Sequence, residues 1–396
     1  MFTARLHGTI HDIPQQAWDG FFPGDAEGWA YYAACEEAPL SGFDVAYVAV
    51  YGDAGKIVAA APIFHTQHEL YASLSGPVRR ALDAIAKRIP RFLSLGVTGL
   101  GSPQVDRCHI GLDATLSPAQ RNTAMHALLT ALDNASRTHG NKLLAVKDLE
   151  NHLAPDIGAA LESFGFAKIR SLPNAYLDLP FVSWEQFLQS HSRSSKRYFT
   201  RKERTLDRVR LEYREEIGDL SPKLHALYEQ TRGQSKGDYG SFETLHPNFF
   251  DAVKRHCQER AQFMLCWLDD ELIGFQLLMV GDKELSGKVI GMDYAVAREL
   301  NLYFININQA IRLAIAKRIP HVRMGNTAYA VKMVYGARLA THWIFFKHRS
   351  AAINAILKRL APLIDYERND PDLIKIRKEQ AEKAAAENAK PPAEKS

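Results

Sequence analysis

Apolar and polar positions follow the same plan twice along this chain of 396 residues. In the first half, alternating stretches at 45–51 and 56–64 flank Gly-Asp-Ala-Gly and predict a β-hairpin. A helix is predicted from Ser117-Pro118 to about residue 139, because a serine N-cap followed by proline is typical of a helix start. The other predicted elements are a helix at 26–37, a glycine-rich loop at 96–103, a strand at 143–147, a helix at 155–164 and a strand at 175–179.

The second half repeats this order of hairpin, strand, helix, strand, helix and strand. Its elements are predicted at 263–268 and 272–280 (the hairpin), 288–294, 302–317, 322–324, 328–335 and 343–347. Such a repeat predicts two tandem α/β domains with mixed sheets, and we expect the last strand of each half to close its own sheet. We place the domains at 1–180 and 181–366.

Composition adds the class of protein. The apolar content of 46% and the charged content of 24% are those of an ordinary globular protein, and the net charge of +4 permits an anionic substrate without requiring nucleic acid. There is no apolar leader and no run of about 18 uncharged apolar residues, so we expect no secretory signal and no membrane span. Four scattered cysteines favour a cytoplasmic protein with free thiols. The Lys-, Glu- and Ala-rich stretch at 367–396 predicts a disordered charged tail.

The chain from 289 to 338 combines a strand, a helix, a short strand and a second helix. A strand that runs into a helix N-terminus makes an anion site, because free N–H groups point outward at the positive end of the helix dipole. We interpret this unit as the donor end of an acyl-transfer site. Three residues lie at the start of its first helix, and one precedes the second helix: Arg298, Asn301, Leu302 and Asn326.

Candidate catalytic residues lie in the same unit. Tyr329 and Lys332 are three residues apart on a predicted helix and share a face. A lysine there can hold a phosphate or polarise an acyl carbonyl, and a tyrosine can donate to the leaving group or the oxyanion. Asp293, followed by Tyr294, ends a strand and can act as a base, because an attacking amine has to lose its proton. The alternatives are a surface lysine, a tyrosine at the edge of the core and an acid facing solvent.

A basic stretch from 191 to 210 is the strongest charge feature, with eight Lys or Arg against two acidic residues. At about 100° per residue, a single helix through this stretch would place its arginines on one face and apolar residues on the other. The arginines concerned are Arg193, Arg197, Arg201, Arg204 and Arg208. This face could hold phosphate on a nucleotide-linked acceptor or on a tRNA acceptor stem, and the alternative is a solvated face.

Two stretches resemble the tandem-domain branch of the GNAT-type N-acyltransferases, which includes the Fem-type peptidoglycan bridge-forming transferases and the BioF2-like acetyltransferase group. They are Ser192-Arg-Ser-Ser-Lys-Arg-Tyr-Phe-Thr-Arg-Lys-Glu-Arg and Gly325-Asn-Thr-Ala-Tyr-Ala-Val-Lys-Met-Val-Tyr-Gly-Ala. The resemblance covers roughly residues 40–350. Single-domain members of the family bind the coenzyme A pyrophosphate with Gln/Arg-x-x-Gly-x-Gly/Ala. Here Arg298 keeps the first position, and Asn301 and Tyr303 replace the two glycines.

The resemblance implies two GNAT-like domains and transfer of an acyl group from acyl-CoA to an amine in a ternary complex. We expect acetyl-CoA as the donor and the primary amine of a small molecule, an amino sugar or a peptide as the acceptor. Donor binding is predicted for Arg298, Asn301, Leu302 and Asn326, and catalysis for Asp293, Tyr329 and Lys332. Acceptor binding is predicted for Arg193, Arg197, Arg201 and Tyr294, together with the first domain.

Two other functions fit the same features. One is a Fem-type transferase that takes its acyl group from aminoacyl-tRNA and acts on a peptidoglycan precursor. The long helical arm of the Fem-type bridge enzymes is not visible at 210–262, which counts against this alternative. The other is a non-catalytic module that binds RNA or another partner through the basic stretch. We expect no metal and no DNA partner.

Overall fold

The computed structural model describes residues 2–69, 94–214, 216–234, 244–363 and 365–388. Within these residues the chain forms two mixed β-sheets with helices packed on their faces. This confirms the prediction of tandem α/β units with mixed sheets.

The first sheet contains the early strands of the chain and one late strand. Its strands are β1 (Thr3–His7), β2 (Phe43–Tyr51), β3 (Ile57–Glu69), β4 (Ser94–Leu100), β5 (Gly111–Leu112), β6 (Leu143–Glu150), β7 (Ala167–Arg170) and β15 (His342–His348). The order across the sheet is β1-β2-β3-β4-β6-β15-β7, and β5 pairs with β3. Strands β4 and β6 are parallel, and the other neighbours are antiparallel.

The second sheet repeats this arrangement. Its strands are β8 (Asn174–Asp178), β9 (Arg210–Arg214), β10 (Ala261–Leu268), β11 (Glu271–Val280), β12 (Glu284–Met292), β13 (His321–Arg323) and β14 (Arg338–Ala340). The order is β14-β8-β13-β12-β11-β10-β9. Here β12 and β13 are the parallel pair.

The helices cover both sheets. In the first half they are α1 (Gln15–Phe21), α2 (Trp29–Glu37), α3 (Pro118–Thr138) and α4 (Ala159–Ser163). Those that follow are α5 (Trp184–Gln189), α6 (Arg193–Lys202), α7 (Ser221–Gly233), α8 (Phe249–Cys257), α9 (Leu302–Ala316), α10 (Tyr329–Val334), α11 (Ala351–Leu360), α12 (Tyr366–Asn369) and α13 (Pro371–Asn388). Helix α3 starts at Ser117-Pro118 as predicted, and a capping box between Ser117 and Gln120 fixes this start.

The two halves exchange one strand. Strand β8 comes from the first half but lies between β13 and β14 of the second sheet, and β15 comes from the second half but lies between β6 and β7 of the first. The prediction that each half closes its own sheet is therefore wrong. The division of the chain at residue 180 stays a prediction. The exchange joins the halves through backbone hydrogen bonds in both sheets, because each crossing strand pairs on both sides.

The halves also share one hydrophobic core. Tyr31 and Ala34 of α2 are buried in the same cluster as Phe250 of α8 and Phe263 of β10. Burial of apolar surface is the main favourable contribution to folding, so this shared cluster opposes separation of the halves. Helix α3 covers the first sheet separately, with Leu128 and Leu132 in a second cluster.

Two local predictions differ from the structure. Residues 96–100 of the predicted glycine-rich loop belong to strand β4. Gly99 is needed there because it lies against the Phe64 ring, and a β-carbon would come within 2.1 Å of that ring. Basic helix α6 ends at Lys202 and does not continue to residue 210. The Thr205 hydroxyl there donates to the Leu300 carbonyl at 2.6 Å, and the chain turns toward β9.

The predicted tail begins with two helices. Leu373 and Ile376 of α13 are buried, and they form a cluster with Tyr329 of α10. Residues 371–376 are thus packed on the second half. Helix α13 extends to Asn388, and residues 389–396 lie outside the described part of the chain.

Candidate active site

The second sheet opens between its two parallel strands. Strand β12 pairs with β13 from Glu284 to Ser286, opposite His321 to Arg323, and then continues to Met292 without β13 beside it. On the other side, the chain after β13 stays attached to β8, because Met324 and Gly325 exchange backbone hydrogen bonds with Ala175. We call the opening between residues 287–292 and 324–326 the strand gap. A gap between strands of one sheet gives access to backbone groups that a continuous sheet would pair.

A β-bulge lies beside the strand gap. Leu277 of β11 pairs with Val289, and the next residue, Leu278, pairs with Gly287, so Lys288 has no partner in the register. A bulge leaves the extra residue out of the ladder and is common next to active sites. The backbone of β12 is therefore disturbed at the point where the sheet opens.

Lys332 places an amine at the strand gap. Its Nζ atom lies 3.8 Å from the position that a β-carbon on Gly325 would occupy, and only 4% of the residue is exposed. Among the described residues, no hydrogen bond or ion pair from this amine is found. Burial lowers the pKa of Lys332 from 10.5 to about 7, and the charge of Asp106 opposes this shift. Near neutral pH a large fraction of Lys332 is therefore an uncharged amine.

Charged side chains from both halves meet on the face of the second sheet that is turned toward the first half. We call them the junction cluster: Asp25, Glu27, Asp106, Arg107, Glu284, Lys288 and Arg323. Arg323 is at its centre, with Nη1 3.1 Å from Asp106 Oδ2 and Nε 2.9 Å from Glu284 Oε1. Lys288 Nζ lies 2.5 Å from Glu27 Oε1 and 3.2 Å from Asp106 Oδ1. Arg323 also bonds Glu27.

Opposite charges keep the junction cluster ionised despite its burial. Burial alone would raise the pKa of Glu27, but Arg323 and Lys288 outweigh it and hold the pKa below its usual value. The pKa of Asp106 is lowered well below its usual range, because Lys288 and Arg323 again outweigh burial. Burial tends to lower the pKa of Arg323, and the carboxylates reverse this. A buried cluster of opposite charges in close contact restricts the geometry of the residues that form it.

The start of α9 carries the predicted donor-binding residues. Asn301 is the N-cap in the left-handed conformation that its side chain tolerates. Its Oδ1 accepts from Lys202 Nζ at 3.0 Å. Arg298 is exposed, whereas Leu302 is fully buried and its amide donates to the Ala297 carbonyl. Lys202 of α6 is thus a cation at this helix start that the sequence analysis did not assign there.

Asp293 and Tyr294 are occupied by local structure. The Asp293 Oδ1 atom accepts from the Ala295 amide at 3.0 Å, and its carbonyl accepts from the Ala297 amide at 2.8 Å. The pair therefore shapes the turn between β12 and α9. Tyr294 is half-buried, and burial raises the pKa of its hydroxyl.

Tyr329 points away from solvent into the cluster with α13. Its hydroxyl donates to the Pro173 carbonyl at 3.0 Å, and 1% of the residue is exposed. Asn326 lies at the strand gap, directly after Gly325, and is half-buried.

The predicted arginine face lies on α6. Arg193, Arg197 and Arg201 are exposed, and no ion pair of theirs is found among the described residues. The Arg201 guanidinium lies 5.7 Å from the centre of the Tyr198 ring. Arg208 lies beyond the end of α6 and pairs with Glu299 at 2.7 Å.

The predicted residues thus fall into two groups. Lys332 and Asn326 lie at the strand gap, and Arg298 and Asn301 lie at the start of α9 with α6 alongside. Sequence reasoning missed the junction cluster. The sequence offered one indication of this cluster, which is that charged residues occur at unusual places. Asp106 and Arg107 directly follow the glycine-rich stretch, and Lys288 lies within a strand.

Comparison with known proteins defines the class. The model of the acetyltransferase (GNAT) domain family matches residues 190–333, which contain α6, α9, the strand gap and Lys332. Residues 190–333 therefore match an acetyltransferase (GNAT) domain. Members of this family typically use acyl-CoA as the donor.

Individual relatives are distant. A protein of Mycobacterium tuberculosis, provisionally named 8-amino-7-oxononanoate synthase 2, is 25% identical over 278 residues, which are 68% of this chain and 35% of that protein. The chain spans about a third of the length of these curated relatives. The structure of FemX superposes with a TM-score of 0.56 at 12% identity, over 87% of this chain and 98% of that one. A tandem GNAT protein from the clavulanic acid biosynthesis pathway gives 0.49 at 11% identity, over 88% and 98%. The likeness to FemX shows a shared fold.

No helix in the described ranges is both long and apolar enough to cross a bilayer. The described His, Cys, Asp and Glu side chains form no group that could hold a metal ion. All four cysteines are buried free thiols.

Proposed function

We propose that the chain transfers an acyl group, with acetyl as the expected one, from acyl-CoA to the primary amine of a small molecule, an amino sugar or a peptide. The observation that carries the proposal is Lys332, a buried amine with its pKa lowered to about 7, at the strand gap of a GNAT domain. A pKa near the working pH is the property that a general base needs. Strongly perturbed groups of this kind concentrate at functional sites.

In this proposal Lys332 is the base, in place of Asp293. As the acceptor nitrogen attacks the thioester carbon, a C–N bond forms and Lys332 takes the proton that the nitrogen releases. The C–S bond then breaks, and the thiolate leaves with the electron pair. Lys332 returns its proton to the thiolate, so amine and thioester become amide and thiol. Asp293 remains the residue that forms the turn before α9.

The bulge at Lys288 would support the carbonyl. Negative charge develops on the carbonyl oxygen during attack, and a backbone N–H group aimed at it is the usual form of stabilisation. A bulge frees such groups from the ladder. The acyl group would therefore lie in the strand gap, between β12 and the side chain of Lys332.

Donor phosphates would lie at the start of α9. Anions bind at helix N-termini, and here Arg298 and Lys202 add positive charge. Leu302 would contribute through its place in the helix and not through its amide, which is already bonded to Ala297. Tyr303 stands where related enzymes carry glycine, so the phosphates would bind further from the backbone.

The acceptor would approach from the first half. The junction cluster lies on that face of the second sheet and contacts Glu27 of the first half, whereas α9 packs with Leu285 on the other face. Tyr294 and the arginines of α6 would assist acceptors that carry phosphate. The exposed α6 face also suits a tRNA acceptor stem, and this keeps the aminoacyl-tRNA donor as the second candidate.

Binding measurements separate the two donors. Acetyl-CoA or CoA at a large excess over its Kd should raise the melting temperature by several degrees, because ligands that bind only the folded state stabilise it. A gel shift with tRNA at two salt concentrations should show steep salt dependence if tRNA is the donor. No thermal shift with either coenzyme, together with a salt-dependent tRNA complex, would overturn the acyl-CoA proposal.

A further inference from the structure

In the first sheet, the space beyond the parallel pair β4 and β6 corresponds to the strand gap of the second sheet, and it is occupied. Strands β4 and β6 are paired up to Leu100 and Val146, and the chain then leaves the sheet until β5 rejoins β3 at Gly111. We call residues 101–110 the insertion segment. It is held on both sides, because the Gly101 amide donates to Pro62 at 2.9 Å and the Cys108 amide donates to Asp148 of β6 at 3.0 Å. The position equivalent to the strand gap is thus occupied by the chain itself.

The insertion segment reaches the second half. The Asp106 carbonyl accepts from Asn174 Nδ2 of β8 at 3.0 Å. Its carboxylate contacts Arg323 and Lys288, and neighbouring Arg107 lies 2.6 Å from Glu284. Every one of these partners lies on the second sheet.

Asp106 and Lys332 reach the same strand end. Arg323, which contacts Asp106, and Gly325, which lies beside the Lys332 amine, are two residues apart at the end of β13. The Asp106 side chain is 30% exposed, whereas the side chain of its partner Arg323 is 1% exposed. Asp106 is therefore the more accessible partner of this ion pair.

We propose that Asp106 is a positioning residue for Lys332, so that the insertion segment of the first half completes the catalytic site of the second. This inference rests on the proposed role of Lys332 as the base. The other charged groups near the pair are Lys288, Arg323 and Glu27 of the junction cluster, together with Lys147 of β6, whose Nζ donates to the Val105 carbonyl. Asp106 favours the ammonium form of Lys332, which keeps the amine basic enough to accept a proton despite burial.

The test measures the pH at which the Lys332 amine has lost half of its reactivity as the pH is lowered and the amine is protonated. Trace labelling with acetic anhydride over a range of pH, followed by mass spectrometry of the Lys332 peptide, gives this midpoint without any acceptor. The wild type should show a midpoint near 7. D106N removes the neighbouring negative charge and should lower the midpoint by about one unit. An unchanged midpoint in folded D106N would overturn the proposal.

A matched control is available in the same cluster. Glu284 pairs with Arg323 and Arg107, so E284Q also removes one half-buried carboxylate from the cluster, whereas Asp106 is the charge that acts on the pKa of Lys332. In E284Q the pH midpoint of Lys332 labelling should therefore stay within a few tenths of a pH unit of the wild-type value. A shift in E284Q as large as that in D106N would assign the effect to general loosening and would also overturn the proposal.

A second variant covers the case in which D106N does not fold. Lys288→Met removes a positive charge that contacts Asp106, so the negative charge of Asp106 should act more strongly on Lys332 and raise its labelling midpoint. An unchanged or lowered midpoint would contradict the proposed role of Asp106. Failure of this inference can be told apart from failure of the proposed function. If the midpoints move as expected but Lys332→Met keeps full turnover, the pairing stands and the role of Lys332 as base fails.

Discussion

Asp106 Oδ2 lies 3.1 Å from Arg323 Nη1, and this contact joins the first half of the chain to the strand that borders the gap in the second. Breaking a buried ion pair by removing one partner costs about 3–5 kcal/mol, because the other charge is left uncompensated. The strand exchange and the shared core act in the same direction. The two halves therefore form one body around the candidate site, and the site is not a property of residues 190–333 alone.

Lys332→Met should abolish most of the turnover. Loss of a general base typically costs a factor of about 10²–10⁴ in rate, and methionine has a similar length without a titratable group. The measurement is release of free CoA thiol from acetyl-CoA with a panel of primary amines. Lys317→Met is the control, because Lys317 is exposed at the end of α9. Equal rates for the two variants would remove Lys332 from the chemistry.

The stability of the protein should carry the signature of a lysine that is buried uncharged. Between pH 7 and 10 the unfolded chain keeps the Lys332 proton while the folded state has lost it, so stability rises with pH in this window. The slope from this group is at most about 1.4 kcal/mol per pH unit. Urea unfolding at several pH values should therefore show a steeper rise for wild type than for Lys332→Met. Parallel curves would mean that Lys332 is protonated in the fold.

Removal of residues 371–396 should destabilise the second half. It uncovers Tyr329 by deleting Leu373 and Ile376, and each buried aliphatic side chain contributes about 1.5–3 kcal/mol. We expect a loss of about 3–6 kcal/mol in unfolding free energy and reduced turnover, since Tyr329 and Lys332 share a helix. Removal of 389–396 alone is the control and should change neither. Full stability in the longer truncation would show that the packing of α13 is dispensable.

Among the basic residues of α6, Lys202 should affect acetyl-CoA binding and the exposed arginines should not. Lys202→Met removes the cation at Asn301 and should weaken acetyl-CoA binding about tenfold, the equivalent of one charged hydrogen bond. The triple variant R193A/R197A/R201A should leave that affinity within about twofold, because these arginines are exposed and exposed charges contribute little. Calorimetric titration with acetyl-CoA compares them. A larger loss in the triple variant would move the donor to the arginine face.

Local chemistry made part of this structure predictable. The capping box of α3 and the left-handed Asn301 follow from residue type, and each is fixed within a few residues of the chain. The strand, helix and strand around the gap follow from hydrophobic period. Lys332 could be proposed because it shares a helical face with Tyr329.

The remainder depends on contacts between distant residues. Strands β8 and β15 are short, and no local feature tells which sheet either one joins. Helix α6 ends where Thr205 meets Leu300, which lies 95 residues away. The role of Asp106 depends on Arg323 and Lys288, about 200 residues further along the chain, and only the folded insertion segment brings them together.

Protection of Lys332 by the donor tests the central claim most directly. Wild-type protein is trace-labelled with acetic anhydride at pH 8 with and without saturating acetyl-CoA, and labelling of Lys332 and Lys317 is quantified by mass spectrometry. If the acyl group lies in the strand gap, acetyl-CoA should reduce labelling of Lys332 at least tenfold and leave Lys317 unchanged. Equal labelling of Lys332 with and without bound acetyl-CoA would contradict the account.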